Sequence, residues 1–172
     1  MAIEIIPIQG LWKILRWLPG FLLRWYFTPE KLAQLIYIDM RPRHDSAVMD
    51  LGQSASFRLC LQAINLSPFP VELDRANFRF WCVGATMNAS ILKKKAIAPG
   101  EIVELYIEEA IQDGHANHMA TLIKANPYAL DTQVAIDGNI EFNCKVRSFA
   151  KTVGHLDGIN LKVINGHVRL SA

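Results

Sequence analysis

Val134-Ala135-Ile136-Asp137-Gly138-Asn139-Ile140-Glu141-Phe142-Asn143-Cys144-Lys145-Val146-Arg147 is the stretch whose reading decides the fold. Val134, Ile136, Ile140, Phe142, Cys144 and Val146 take the even positions. Asp137, Asn139, Glu141, Asn143, Lys145 and Arg147 take odd ones. Successive side chains of an extended strand point to opposite faces, so one side of this run is buried and the other is wet. Only Gly138 interrupts the apolar set. A run this long is one bent strand or two strands meeting at Gly138, where a bulge or corner is expected.

The same period recurs upstream. Phe57, Leu59, Leu61 and Ala63 alternate with Arg58, Cys60 and Gln62. The pattern stops at Ser67-Pro68-Phe69-Pro70, whose prolines lack the N–H that a strand ladder needs. Val71–Leu73 resumes briefly, Asn77–Val83 is an aromatic strand ended by Gly84, and Thr86–Leu92 is a weaker one. Glu101–Glu108 alternates with Val103, Leu105 and Ile107 on one face. Ile159–Ile164 and His167–Leu170 flank Asn165-Gly166, the dipeptide most favoured in tight hairpins. Glu109–Asn126 instead carries Met119, Leu122 and Ile123 at helical spacing and ends at Pro127. Roughly seven strands and one internal helix make a mainly β chain, an antiparallel β-sandwich rather than a parallel α/β sheet.

The other distinctive stretch is Gly10–Phe27, GLWKILRWLPGFLLRWYF. At about 100° per residue Lys13, Arg16 and Arg24 fall in one narrow wedge. Leu11, Ile14, Leu15, Leu18, Phe21, Leu22 and Trp25 fill the opposite arc, with Trp12 and Trp17 towards the wedge margins. This is the pattern of an amphipathic helix lying in a membrane surface, and it nominates Trp12, Lys13, Arg16, Trp17, Phe21, Arg24 and Trp25 as membrane-binding residues. Pro19 kinks this helix or splits it. Two readings compete: a helix packed on its own domain or in a partner's groove, and a span or signal anchor. A span would bury a basic side chain at about 2.5–3.5 kcal/mol, and no small-residue cleavage site follows. The expected location is therefore a membrane surface, on its cytoplasmic face, with a signal-anchored extracytoplasmic placement as the alternative. Thr28-Pro29-Glu30 starts a short helix, and Gln34–Met40 continues it or turns to strand. The polar break Arg41-Pro42-Arg43-His44-Asp45 divides an appendage, residues 1–44, from a sandwich domain, residues 45–172.

Composition narrows the function classes. With 51% hydrophobic and 20% charged residues, the chain is neither disordered nor a multi-span membrane protein. Its net charge of +2 is dispersed, and the one run, Lys93-Lys94-Lys95, is a solvated strand end or loop. No nucleic-acid partner is expected. Cys60, Cys82 and Cys144 lack CxxC spacing and read as small buried hydrophobes in a reducing compartment, with a disulfide between two of them left open. Asn65-Leu66-Ser67 and Asn88-Ala89-Ser90 fit the glycosylation pattern, which arises easily by chance.

Catalytic chemistry is not legible. His115 and His118 sit three apart beside Asp113, but a helical histidine pair without a third ligand is ordinarily just solvated. His44-Asp45 and His155-Leu156-Asp157 set imidazole beside carboxylate with no nucleophile context. There is no P-loop, GxGxxG, GxSxG or HExxH, so no enzyme, metal or cofactor is expected. Phe78, Phe80 and Trp81, with Phe69 in the proline-rich loop, are the candidates for a ligand or partner groove, although core packing is the preferred reading.

The order of these motifs resembles a known family. Ser54–Val163 is similar to the late-embryogenesis-abundant type 2 family, also described as the water-stress and hypersensitive-response domain. The residues that carry the likeness are Asn65-Leu66-Ser67-Pro68-Phe69-Pro70-Val71-Glu72-Leu73, the aromatic strand to Gly84, Ile97-Ala98-Pro99-Gly100-Glu101, and Ala135-Ile136-Asp137-Gly138-Asn139-Ile140. The resemblance implies an immunoglobulin-like or fibronectin-like sandwich, often tethered to a membrane at its N-terminus and linked to stress protection and lipid handling. It implies no catalytic residues. The expectation is a non-enzymatic, membrane-associated sandwich that binds a partner or an apolar or lipid ligand. The alternatives are a subunit of a protein assembly or homo-oligomer anchored by the same helix, and a metal protein or enzyme built on the helix histidines.

Overall fold

Two five-stranded sheets face each other, as the alternation of the sequence requires. The computed structural model describes residues 13, 15, 17–41, 45–128, 134–156, 159 and 161–164. The Asn165-Gly166 hairpin and the strand expected over His167–Leu170 lie outside the described residues. The first sheet holds β1 (Ile36–Met40), β2 (Ala47–Asp50), β3 (Ser56–Asn65), β7 (Ile102–Ala110) and β10 (Leu161–Ile164). The second holds β4 (Val71–Cys82), β5 (Ala85–Ile91), β6 (Lys95–Ile97), β8 (Val134–Cys144) and β9 (Ser148–Val153). Three helices are described: α1 (Gly20–Tyr26), α2 (Pro29–Gln34) and α3 (Asp113–Ala125).

The long strands β3 and β4 are the spines. β7 pairs along one edge of β3, while β1 and β2 share the other edge end to end. β8 pairs along one edge of β4, and β5 and β6 share its other edge. Phe57, Leu59, Leu61, Leu105 and Ile107 of the first sheet meet Phe78, Phe80, Ile136, Ile140 and Phe142 of the second in the core. The stacked rings of Phe57 and Phe80, 4.0 Å apart, join the two layers. The mainly β, sandwich architecture is as expected. One pairing departs from the antiparallel pattern: β10 runs parallel to β2, because the chain reaches it by crossing from β9 in the opposite sheet and not by a hairpin.

Other differences are local. Val71–Leu73 and Asn77–Cys82 belong to one strand, β4, whose pairing with β8 shifts register between Leu73 and Arg75. The irregularity flips the parity of burial, from odd at Val71 and Leu73 to even at Ala76, Phe78 and Phe80. Glu109 and Ala110 end β7 instead of starting α3, because they pair with Phe57 and Ser56. Ile36–Met40, on the appendage side of the boundary drawn at residue 44, pair with Met40-to-Ile36 partners Leu61–Asn65 in the first sheet. The β4–β5 turn is Val83-Gly84, with φ of 47° and 79°, the arrangement of a type I′ hairpin. A β-branched residue is strained at that φ, and Val83 stays there with its side chain buried in the core.

Gly138 turns out to be neither a bulge nor a corner. β8 passes through it unbroken and pairs it with Phe78. A Cβ there would lie 2.6 Å from the Asn77 carbonyl oxygen and 2.9 Å from the Phe78 ring. The position is a glycine because backbone and ring approach where a side chain would stand. Gly138→Ala is therefore expected to cost about 2–3 kcal/mol, read as a lower urea midpoint with an unchanged slope. A wild-type midpoint would refute this account.

The three cysteines are free thiols. Burial pushes the Cys82 thiol up to about 12 from 9.0. The folded state then holds a proton that the unfolded chain releases above pH 9, so this contribution to stability is full below pH 9 and lost as pH rises towards 12. At pH 10 wild type should have lost about 1 kcal/mol more, relative to pH 7, than Cys82→Ala. Parallel pH profiles of the two unfolding free energies would contradict the assignment.

Candidate functional site

Pro19 settles the conformation of the N-terminal stretch. Lys13 and Leu15 are helical, Trp17 and Leu18 form a turn, and α1 begins after Pro19. The Leu22 and Leu23 N–H groups donate to the Pro19 carbonyl at 3.0 and 3.2 Å. Proline thus splits the helix, and one wheel no longer phases Lys13 against Arg24.

The inward face of α1 is Leu23, followed four residues on by Phe27; both are buried. Phe27 meets Phe69 edge-on at 5.2 Å. A residue two positions from a buried one lies on the opposite side of a helix, and Phe21 and Trp25 accordingly point outward, 70% and 79% exposed. Trp17 is 91% exposed, and Leu18, Leu22 and Tyr26 are exposed around it. Lys13 and Arg24 are exposed as well. Trp12 and Arg16 lie outside the described residues. Between the outward side chains is a hollow of about 290 Å³ lined by Leu15, Leu18, Leu22, Leu23, Trp25, Tyr26 and Phe27.

The patch is held firmly. Arg147, in the β8–β9 turn, donates from Nη2 to the Arg24 carbonyl at 3.0 Å, near the C-terminal end of α1, where a cation is favoured. Thr28 caps α2 by accepting the Lys31 N–H at 3.4 Å, and Leu32 is fully buried. The Thr28 side chain, then the backbone at Glu30, holds the Glu30 carboxyl below its usual range. Lys31 Nζ sits 4.4 Å above the Tyr26 ring. Lys151 of β9 donates to the Ile36 carbonyl, and burial lowers the ammonium below its usual range. Among the described residues, no helix is long and apolar enough to cross a membrane.

The four groove candidates do not form one groove. Phe78 and Phe80 point into the core, Trp81 lies on the opposite face with its ring 5.7 Å from that of His155, and Phe69 packs on Phe27. The Ser67–Pro70 turn is held from within. Asn65, 0% exposed, donates from Nδ2 to the carbonyls of Phe69 (2.9 Å) and Ile97 (3.1 Å). Its Oδ1 accepts the Ser67 N–H at 3.0 Å and the Ser67 hydroxyl at 2.6 Å. Its backbone accepts from Gly100, whose φ of 76° fits the third place of a type II turn behind Pro99. The signal for this role was the placement of an Asx residue directly before a proline turn. On α3, His115 is half-buried and His118 exposed, and among the described residues no three His, Cys, Asp or Glu groups gather as metal ligands.

No family model matches the chain. No curated protein matches it. Solved structures do resemble it at low identity. A structural-genomics target solved by X-ray is 10% identical with a TM-score of 0.48, covering 71% of this chain and 84% of its own. A PapD-like domain of a human protein is 10% identical with a TM-score of 0.37, over 77% of this chain and 91% of that domain. The solution structure of a putative late embryogenesis abundant protein is 9% identical with a TM-score of 0.34, over 92% and 95%. The sandwich assignment rests on the strand pairing described above.

Proposed function

We propose that this chain is a non-enzymatic membrane-surface module of the late-embryogenesis-abundant type 2 kind, which docks through Trp17, Phe21 and Trp25 on anionic lipid and presents its sandwich to a partner or an apolar ligand. The observation that carries the reading is the outward Phe21 and Trp25 on a helix whose other face is fixed in the core, with Trp17 exposed in the turn before it. Large exposed apolar patches on a folded domain mark interaction sites. Indole rings suit the headgroup level of a bilayer, and Lys13 and Arg24 supply charge complementary to anionic lipid. The cytoplasmic leaflet, where anionic lipids concentrate, is the location this favours. The family likeness is supported by where its motifs fall: the Asn65–Leu73 text at the β3–β4 turn, Gly84 at the β4–β5 turn, Ile97–Glu101 at the β6–β7 turn, and Ala135–Ile140 on β8.

Vesicle flotation tests the docking. The protein should rise with vesicles containing phosphatidylserine, less with pure phosphatidylcholine, and its tryptophan emission should shift to the blue. Protein left at the bottom of the gradient in both cases would end the proposal. The hollow beside Leu22 and Trp25 supports a second reading, in which a partner's apolar side chain enters it and the chain is an assembly subunit or homo-oligomer. That reading expects a self-associated or complexed protein with blue emission before lipid is added.

A further inference from the structure

We infer that the hollow beside α1 binds one fatty acid, with the hydrocarbon chain inside and the carboxylate among the basic side chains at its rim. Residues on both sides of Pro19 line this hollow: Leu15 and Leu18 precede the break, and Leu22, Trp25 and Phe27 follow it. In an unbroken helix residues 15, 18 and 22 would form one convex stripe. The break bends that stripe into a wall. Leu23 and Phe27, both buried, close the floor, and Leu18, Trp25 and Tyr26 stand exposed at the edge.

The lining selects hydrocarbon. The hollow measures about 290 Å³. An apolar cavity of about 150 Å³ already accepts a benzene ring, so this one suits a run of methylenes from a single chain. Its lining side chains are all aliphatic or aromatic. The backbone here is spent within the protein: the Leu18 N–H donates to Leu15, the Leu22 and Leu23 N–H groups to Pro19, and the Phe27 N–H to Leu23. The Arg24 carbonyl is taken by Arg147. An extended peptide entering the hollow would find no partner for its own N–H and C=O groups, whereas a methylene chain needs none.

Charge decides the head group. Leu11–Leu35 holds four basic residues and one acidic residue, against fourteen and fifteen in the rest of the chain. The positive excess of the protein is therefore concentrated in the segment that builds the hollow. Lys31 Nζ lies 4.4 Å over the ring of Tyr26, a lining residue. Arg24 and Lys13 are exposed, one and two residues from lining positions. Glu30, the one acid, is held by the Thr28 side chain and lies in the field of Arg147. A carboxylate is favoured at this rim and a cationic head group is opposed. Trp17 and Phe21, the outward side chains of the docking face, do not line the hollow. Fatty-acid binding therefore goes beyond the bilayer docking proposed above, and the two fail separately.

The test is isothermal titration of the full chain with sodium dodecanoate below its micellar concentration. One equivalent should bind with a Kd of about 100 µM. Octanoate, with less chain to bury, should bind at least about tenfold more weakly. Dodecyltrimethylammonium, with the same chain and the opposite charge, should also lose at least about tenfold. Dodecanoate brominated at its chain end should quench tryptophan emission, and Trp25→Phe should remove most of that quenching. Leu18→Gln with Leu22→Gln should weaken binding at least about tenfold at unchanged melting temperature. Trp17→Ala with Phe21→Ala should cut vesicle flotation and leave the dodecanoate Kd within about twofold. Uptake of many equivalents, or of none up to about 1 mM because a partner's side chain fills the hollow, would overturn the proposal. So would undiminished binding in the glutamine double variant, or dodecyltrimethylammonium binding as tightly as dodecanoate.

Discussion

Asn65→Ala is expected to lower the unfolding free energy by about 3–4 kcal/mol and the melting temperature by about 10 °C. The Asn65 side chain satisfies two carbonyls, Phe69 and Ile97, that belong to segments far apart in sequence, and it accepts both the N–H and the hydroxyl of Ser67. Asn65 and Ser67 are the two fully buried polar residues among the described positions, so the groups left behind would have no water to turn to. Each stranded buried group costs about 1–3 kcal/mol, and the loss spreads because the turn also receives the Leu66 N–H bond to Leu35 O (2.8 Å), which ties it to the end of α2. Asn65→Asp should be no better: it keeps the acceptor but sets a carboxylate against the Phe69 and Ile97 carbonyls. The natural control is Asn88→Ala. Asn88 opens the same kind of Asn-x-Ser tripeptide, but it is exposed on β5, and its loss should stay within about 0.5 kcal/mol. Urea unfolding of the three variants checks the set; a cost below about 1 kcal/mol for Asn65→Ala would show that the network is dispensable.

The second large effect concerns the aromatic row. Trp17→Ala, Phe21→Ala and Trp25→Ala combined should weaken binding to vesicles containing phosphatidylserine at least about a hundredfold, or about 3 kcal/mol. Three aromatic side chains that are mostly in water before docking carry ample area for such a loss at about 25 cal/mol per Å². Stability should hardly change, because the anchoring side chains of this region, Leu23, Phe27 and Leu32, are untouched. Lys13→Ala with Arg24→Ala should act differently. It should cost about 1 kcal/mol per residue on anionic vesicles and flatten the salt dependence, with little effect on neutral ones. Unchanged flotation of the triple variant would move docking away from this row. Loss of a dimer peak in the same variant, without any lipid dependence in wild type, would favour the partner reading.

The contrast between Asn65 and Asn88 shows how far a sequence reading reaches. Both lie in the same short pattern, and both are flanked by strand text. Nothing local says that one is buried at the junction of four segments and the other lies on an outer face. The aromatic strand is a similar case. Its identity as a strand was plain from Asn77–Val83, but Phe78 and Phe80 proved to be core and Trp81 outer surface, as alternation requires once the inward parity is known. Parity was set upstream by the irregularity at Leu73–Arg75, which only the pairing with β8 reveals. For Gly10–Phe27 the sequence showed aromatic and basic residues on an interrupted helix. The identity of the anchoring pair, Leu23 and Phe27, depended on where the end of that helix meets Phe69 and the β8–β9 turn.

By itself, then, the sequence determined the longer elements and their two-sidedness: strands of period two, one internal helix stopped by Pro127, a kink or split at Pro19, and turns at Pro68–Pro70 and Pro99-Gly100, whereas the short strands β2, β6 and β9 went unread. These follow from steric rules that act within a few residues. Tertiary structure alone decided which strands became neighbours, the parallel placement of β10 beside β2, the need for glycine at 138, and the ties that Asn65 makes. Each of these depends on contacts between residues far apart in the chain, such as Ile36 with Asn65 or Phe78 with Gly138, and such contacts are chosen by burial of the whole core and leave no periodic trace in the sequence around any one partner.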